Sequence, residues 1–404
     1  MVTGPAARCK HQPMASTGGQ PHRWSDWSGW SAYRRIPGRR LTISLLSVAS
    51  IAGPILPPGP STTTTTTTPT PTATTTTLLT AGPTLGATWT LAFGGDTLLT
   101  RAVAETTNPF AGIRPPLVDA DLAIVNLETA ISTRGRAQIK EFTFRSAPSF
   151  ADRLAASGID VVSLANNHTL DFGVDALRDT IANLDRVDVA HVGAGSGIDE
   201  ALAPAEFDVK GVSVGVLGAS QIIPDTTWPA TATRAGIASG GKHTVNAETQ
   251  RLLDAVRRTR ITNDVVVVIM HWGIEGNPCP SAAQKNLAAL LVDAGATAVL
   301  GAHPHVLQPI VRVPAPVGDA VIAYSMGNFI WDPRSGATAD TGLLRLHFVG
   351  RQLRGASFHP HRLDRDGWAR AVPAAATVGR TITRRVSSRC DGVSGTSIEA
   401  VPSA

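Results

Sequence analysis

The sequence predicts a layered α/β domain, and three observations carry that expectation. Short β-branched apolar runs alternate along the chain with segments of helical spacing, the pattern of strands stacked against helices. Six of those runs stop abruptly at a polar cluster: Asp96, Glu128, Asn167 with His168, His271, His303 with His305, and Asn328. The 404 residues are 43% hydrophobic and 17% charged, which allows a core of ordinary size and leaves room for unstructured ends.

Residues 1–40 are basic and lack any apolar period, so they are predicted to be a solvated leader. The uncharged run from Leu41 to Ala52 follows Arg39-Arg40 and closes on small residues, the layout of an export signal over 41–53. A short membrane anchor is the alternative, but Gly53 and Pro54 interrupt the run before the ~20 residues a spanning helix needs. Residues 54–86 are dominated by threonine and proline, have nothing to bury, and are expected to form a linker. The 36 Lys and Arg outnumber the 31 Asp and Glu, yet seven basic residues and one acid lie in the leader, leaving 29 against 30 beyond it. A phosphate-backbone face, and with it a nucleic-acid partner, is therefore not expected. Three cysteines are too few for a disulfide framework or a cysteine-rich zinc site, although an oxidising compartment would allow Cys279 to pair with Cys390.

The folded part is predicted to span 87–365. Trp89 to Phe93 alternates and is cut off by Gly94-Gly95-Asp96, a first strand. Asp121 to Val125 is a second, ending in Asn126-Leu127-Glu128. A helix near Ser149 to Ser157 precedes the third, Ile159 to Ala165, which runs straight into Asn166-Asn167-His168-Thr169-Leu170-Asp171. Val174 to Leu184 has helical spacing, and the runs either side of Lys210-Gly211 read as a hairpin. After a helix over 246–261, Val265 to Met270 is a buried strand ending in His271-Trp272-Gly273. Ser281 to Ala294 is amphipathic; Ala296 to Leu300 is a strand leading to His303-Pro304-His305, and Ala320 to Tyr324 leads to Asn328. Leu343 to Phe348 closes the core, and the arginines and small residues of 366–404 predict a loosely ordered tail.

In such a fold the strand ends lie along one rim, where loops can aim polar side chains into a crevice without disturbing the core. Taken singly the residues have plainer readings: Asp96 as a turn residue after two glycines, Glu128 as a solvated carboxylate, Asn167-His168 as a strand-end turn, His271 as a satisfied core histidine. His303-Pro304-His305 is harder to dismiss, because residues i and i+2 share a face in extended chain and Pro304 stiffens the span. All six clusters at strand ends make coincidence improbable. Imidazoles, carboxylates and an amide converging there would form a mixed nitrogen and oxygen set that suits manganese, zinc or iron and argues against calcium. Two divalent cations with a shared carboxylate are the natural expectation.

The wording of these clusters resembles a known family. Gly95-Asp96, Asn126-Leu127-Glu128, Ala165-Asn166-Asn167-His168 with Asp171 and Gly173, His271-Trp272-Gly273 with Glu275, the run from Gly301 to Gln308, and Ser325-Met326-Gly327-Asn328-Phe329 together resemble the CapA family of capsule and poly-γ-glutamate synthesis proteins. The resemblance spans about Thr90 to Phe348. That family looks like a divergent branch of the calcineurin-like metallophosphoesterases, which implies a four-layer αββα sandwich. It further implies Asp96 and His305 as ligands of a first metal, Glu128 as the bridging carboxylate, and Asn167, His271 and His303 as ligands of a second. His168 would be the general acid, with Asp171 orienting its ring. Asn126, Asn166, Glu275, Gln308 and Asn328 are candidates for supporting these ligands or touching substrate. The phosphatase pattern opens with Asp-x-His, whereas Thr97 and Leu98 follow Asp96, and Glu128 stands where an Asp is usual.

The expected protein is thus an exported, metal-binding, CapA-like envelope component with metal-dependent hydrolase chemistry of the phosphoesterase type. Its expected partners are an anionic polymer such as poly-γ-glutamate, or a phosphoester substrate, and membrane-bound synthesis machinery. A non-catalytic polymer-binding module on the same fold, or a secreted metallophosphoesterase, are the alternatives.

Overall fold

The computed structural model of the protein describes residues 86–98, 109–241, 245–332, 334–387, 389–393 and 395–398. The expected leader, export segment and most of the linker lie outside the described residues. Two large sheets organise the rest. The eight-stranded sheet runs from edge to edge as Ala369–Ala371, Gln352–Leu363, Asp340–Val349, Thr88–Thr97, Leu122–Leu127, Val161–Ser163 and Ala190–Val192, with Asn328–Ile330 pairing beside the end of Thr88–Thr97. The seven-stranded sheet runs as Thr396–Ser397, Ile310–Pro314, Asp319–Ala323, Ala298–Ala302, Val265–His271, Val212–Ser220 and Ala205–Val209.

Alternation along single strands shows how the layers stack. In Val265–His271, Val265, Val267 and Ile269 meet Leu91, Phe93, Ile124 and Val161 of the other sheet. Val266, Val268 and Met270 point the other way, onto Leu252 and Val256 of helix Ala247–Thr262 and Leu287 and Leu291 of helix Ala282–Asp293. A period-2 strand that is apolar on both faces must be covered on both. The eight-stranded sheet repeats the logic, with Ala92, Ala123, Val125 and Val162 packed under Phe150 and Leu154 of helix Ser149–Ala156 and Leu177 and Leu184 of helix Gly173–Arg186. Helix, sheet, sheet, helix is the four-layer αββα sandwich expected from the resemblance. Full burial of each such valine or leucine contributes about 1.5–3 kcal/mol, so the three cores hold the layers in register.

Local signals explain the boundaries. Asn246 and Ser281 each form a capping box with the residue three positions on, satisfying the free N–H groups that start their helices. Lys210 and Gly211 both take positive φ, 54° and 84°, as a two-residue hairpin between Ala205–Val209 and Val212–Ser220 requires.

The expected loose tail is corrected. Beyond Asp366 the chain forms strand Ala369–Ala371, helix Thr377–Val386 and strand Thr396–Ser397. Ile382 and Val386 of that helix are buried in the core between the sheets, Arg385 pairs with buried Asp340 at 2.7 Å, and Cys390 is disulfide-bonded to Cys279. The arginines that suggested a solvated end are the outer face of an amphipathic helix.

Candidate metal centre

The parallel strands of both sheets stop at the same rim. Asp96 is level with Asn126 on one neighbour and Asn328 on the other, while Asn126 is level with Ser163. In the second sheet His271 is level with Ala302, directly before His303. Gly95 makes the close approach feasible: a Cβ there would meet Gly327 O at 1.9 Å, where Asp96 N now donates to that oxygen at 2.9 Å. His303 and His305 both take positive φ, 97° and 55°, a conformation that costs a non-glycine residue about 1–3 kcal/mol and persists where its surroundings enforce it. Here the backbone N–H of His303 donates to Asp96 Oδ2 at 3.1 Å, and Gly276 N donates to Pro304 O at 2.8 Å.

The side chains converge on Glu128. Its Oε1 is buried and has no hydrogen-bond partner among the described residues, yet the Nε2 atoms of His271, His305 and His168 lie 3.5, 3.9 and 4.0 Å from it. His303 Nδ1 is likewise buried without a partner. Asn126 Nδ2 donates to Asp96 Oδ1 at 2.8 Å and sits 3.2 Å from His271 Nδ1. Asn167 Oδ1 is 2.7 Å from His271 Nε2, and His305 Nδ1 is 3.1 Å from Asp96 Oδ2 and 2.9 Å from Asn328 Oδ1. Ligand atoms gather in three sets, each within 4.8 Å: Glu128, His271 and His303; Asp96, Glu128 and His305; Glu275, His303 and His305.

These residues fit divalent cations. Ligands about 2.0–2.2 Å from one ion stand roughly 3–3.5 Å from each other, too far for a strong hydrogen bond and close to the spacing of His271 and Glu128. Three imidazoles turned toward one orphaned carboxylate oxygen is otherwise a costly way to bury polar atoms.

Charge follows burial. Desolvation, then the charge of Asp96, holds the Glu128 carboxyl well above the ordinary value. Burial also opposes ionisation of Asp96, but the bond to His305, that ring's charge and the Asn126 amide outweigh it and leave Asp96 lowered. Burial and then the neighbouring imidazoles push His271 well down, and burial then His305 takes His303 to about 3. Burial would lower His305 too, yet its contact with Asp96 prevails and raises it. Being neutral, His271 and His303 each have one unprotonated ring nitrogen, the form a metal ligand needs.

Beside this cluster His168 Nδ1 lies 2.6 Å from Asp171 Oδ2, which holds the ring with Nε2 facing the centre. Asp171 also accepts from Lys140 Nζ at 2.7 Å and Phe144 N at 2.6 Å. Phe144 stacks on the His168 ring at 4.1 Å, and Trp331 lies against Phe144 and His305. Lys140, Phe144 and Trp331 escaped the sequence reading: they sit in segments without a period, and a lone Lys in a loop carries no signal.

The remaining candidates divide. Asn166 braces the turn, donating to Leu127 O at 2.8 Å and accepting from His168 N at 3.0 Å. Gln308 accepts from Gln284 Nε2 at 2.9 Å and donates to Asn277 O at 2.8 Å. It holds the loop that carries Glu275.

Four layers of helix and sheet, with imidazoles and carboxylates gathered where the sheets meet, define a class: an α/β protein bearing a candidate centre for divalent cations at its strand ends. Residues 90–333 match the family described as bacterial capsule synthesis protein PGA_cap, and the chain belongs to that family. It is 28% identical over 265 residues to the PGA biosynthesis protein CapA of Bacillus subtilis (strain 168), covering 63% of this chain and 67% of that protein. With the capsule biosynthesis protein CapA of Bacillus anthracis it shares 29% identity over 268 residues, covering 64% of this chain and 63% of that protein. The chain thus spans slightly less than two thirds of the second relative. A solved structure of a hypothetical protein from Thermus thermophilus aligns with 70% of this chain and 99% of its own at 20% identity and a TM-score of 0.41.

Proposed function

We propose that this protein is exported, binds a pair of divalent cations at the Glu128 cluster, and acts at the cell envelope in making or anchoring poly-γ-glutamate or a related anionic polymer, through metal-dependent hydrolysis. The observation that carries the reading is the unpartnered Glu128 Oε1 facing three imidazole nitrogens, in a chain whose relatives carry capsule and PGA biosynthesis in their names. Bound there, such cations would polarise a phosphoryl or carbonyl oxygen and acidify a water molecule.

The protein's own groups supply the rest. His168, held by Asp171 through Nδ1, is placed to take a proton on Nε2 from the attacking water and to pass it to the leaving oxygen or nitrogen as the ester or amide bond breaks. Asn126 orients Asp96, and Asn328 orients His305. Phe144 and Trp331 form apolar walls that exclude water beside the His168 and His305 rings.

The test is hydrolysis of a generic aryl phosphate by the full chain in added manganese, beside Asn167→Ala and His168→Ala. Loss of turnover in both, and on chelation, is the expected result. Polymer binding that survives both substitutions and chelation, with no turnover, would instead make the protein a binding module.

A further inference from the structure

We propose that Glu275 is a direct ligand of one of the two cations proposed above, closing the solvent-facing side of that position together with His303 and His305, and that the loop from Gly273 to Cys279 is built to present it. The proposal rests on the metal reading above and goes beyond it by naming a ligand from outside the strand ends.

Geometry comes first. One carboxylate oxygen of Glu275 and one ring nitrogen each of His303 and His305 lie within 4.8 Å of one another. Asp96 and Glu128 are fully buried, whereas Glu275 is exposed, so it reaches this set from the solvent side. This set therefore has a carboxylate beyond those the strands provide.

The loop is fastened along its length. Gly273 and Gly276 take positive φ, 95° and 71°, and bracket Ile274-Glu275 so that the chain doubles back over His303-Pro304-His305. A Cβ on Gly273 would meet the Gln284 side chain at 2.7 Å. Gly276 N donates to Pro304 O at 2.8 Å, Gln308 donates to Asn277 O at 2.8 Å, and Cys279 is bonded to Cys390. Such restraints on a short exposed loop exceed what a mere connection between strand and helix requires. Ile274 stays 56% exposed at its tip, so burying an apolar side chain is not what the restraints serve.

The experiment is calorimetric titration of the full chain with Mn²⁺, paired with metal content after desalting, for the unaltered protein and for Glu275→Gln. Two equivalents are expected in the former. In Glu275→Gln one equivalent is retained and the other weakens at least tenfold, while melting without metal is unchanged because Glu275 makes no hydrogen bond among the described residues. Identical titrations would overturn the assignment and leave the proposed function standing; no Mn²⁺ bound by the unaltered protein would remove both. A Cys279→Ser, Cys390→Ser variant keeps Glu275 but frees its loop. It is expected to weaken the same equivalent by a smaller factor, and unchanged affinity would overturn the role given to the loop.

Discussion

Glu128→Gln should change stability in opposite directions with and without metal. In the metal-free protein Glu128 Oε1 is buried and unpartnered, and its carboxyl is held well above 4.5 by burial and the charge of Asp96. A buried polar atom left without a partner costs about 1–3 kcal/mol. The carboxyl's raised value means its contribution to stability is fully present below 4.5 and is lost as pH rises through the folded-state value. Near pH 8, chelated Glu128→Gln should therefore match or exceed the parent, by about 1–2 kcal/mol if the new amide N–H meets His168 Nε2, 4.0 Å from the present oxygen. Metal reverses the order. At a hundred times its dissociation constant a cation stabilises the parent by about 2.7 kcal/mol, a rise of roughly 5 °C at about 2 °C per kcal/mol. The variant, lacking the shared carboxylate, should show little of that rise. Scanning calorimetry with and without Mn²⁺ at pH 8 decides it. A chelated variant melting several degrees below the parent, or one keeping the full metal-induced rise, would refute the reasoning.

Three further outcomes follow from the same geometry. His303, lowered to about 3 by burial and His305, contributes stability that is complete above 6.5 and is lost as the pH falls toward 3; chelated protein should lose melting temperature between pH 7 and 4, with a shallower slope in His303→Asn. Lys140→Met removes a charged hydrogen bond to buried Asp171 and should cost about 1.5–3 kcal/mol in urea unfolding, with faster proteolysis between residues 132 and 146; no change in either would show that the loop is held without it. Reducing the Cys279–Cys390 bond, which spans 111 residues, should cost up to about 4.7 kcal/mol, and an unchanged melting point under reductant would show that noncovalent contacts already hold Cys390 in place.

The rim was legible in the sequence because buried strands announce themselves. Val265 to Met270 is apolar on both faces, so the first polar residue after it, His271, had to mark the strand's end. The same holds for Asp96, Glu128 and His303, each at or just past a run that cannot continue into water. What the sequence hid depends on contacts that no period encodes. Gln308 enters as a candidate only through the family resemblance, and nothing in its sequence neighbourhood shows that its amide serves Gln284 and Asn277. Lys140 lies 31 residues from Asp171, and nothing between them shows that the loop folds back. Helix Thr377–Val386 went unrecognised because its buried Gly379, Ile382 and Val386 are scattered among arginines, and only the core beneath it makes that face meaningful.

The centre draws Asp96, Glu128 and Asn167 from one sheet and His271, His303 and His305 from the other. A cation held among them would act as a clasp across the seam between two slabs that otherwise touch mainly through apolar side chains, so any sliding of one slab on the other would pull its ligands apart. Amide exchange in Thr88–Thr97 and Val265–His271 should then slow together when the clasp is fastened, although those two strands belong to different sheets.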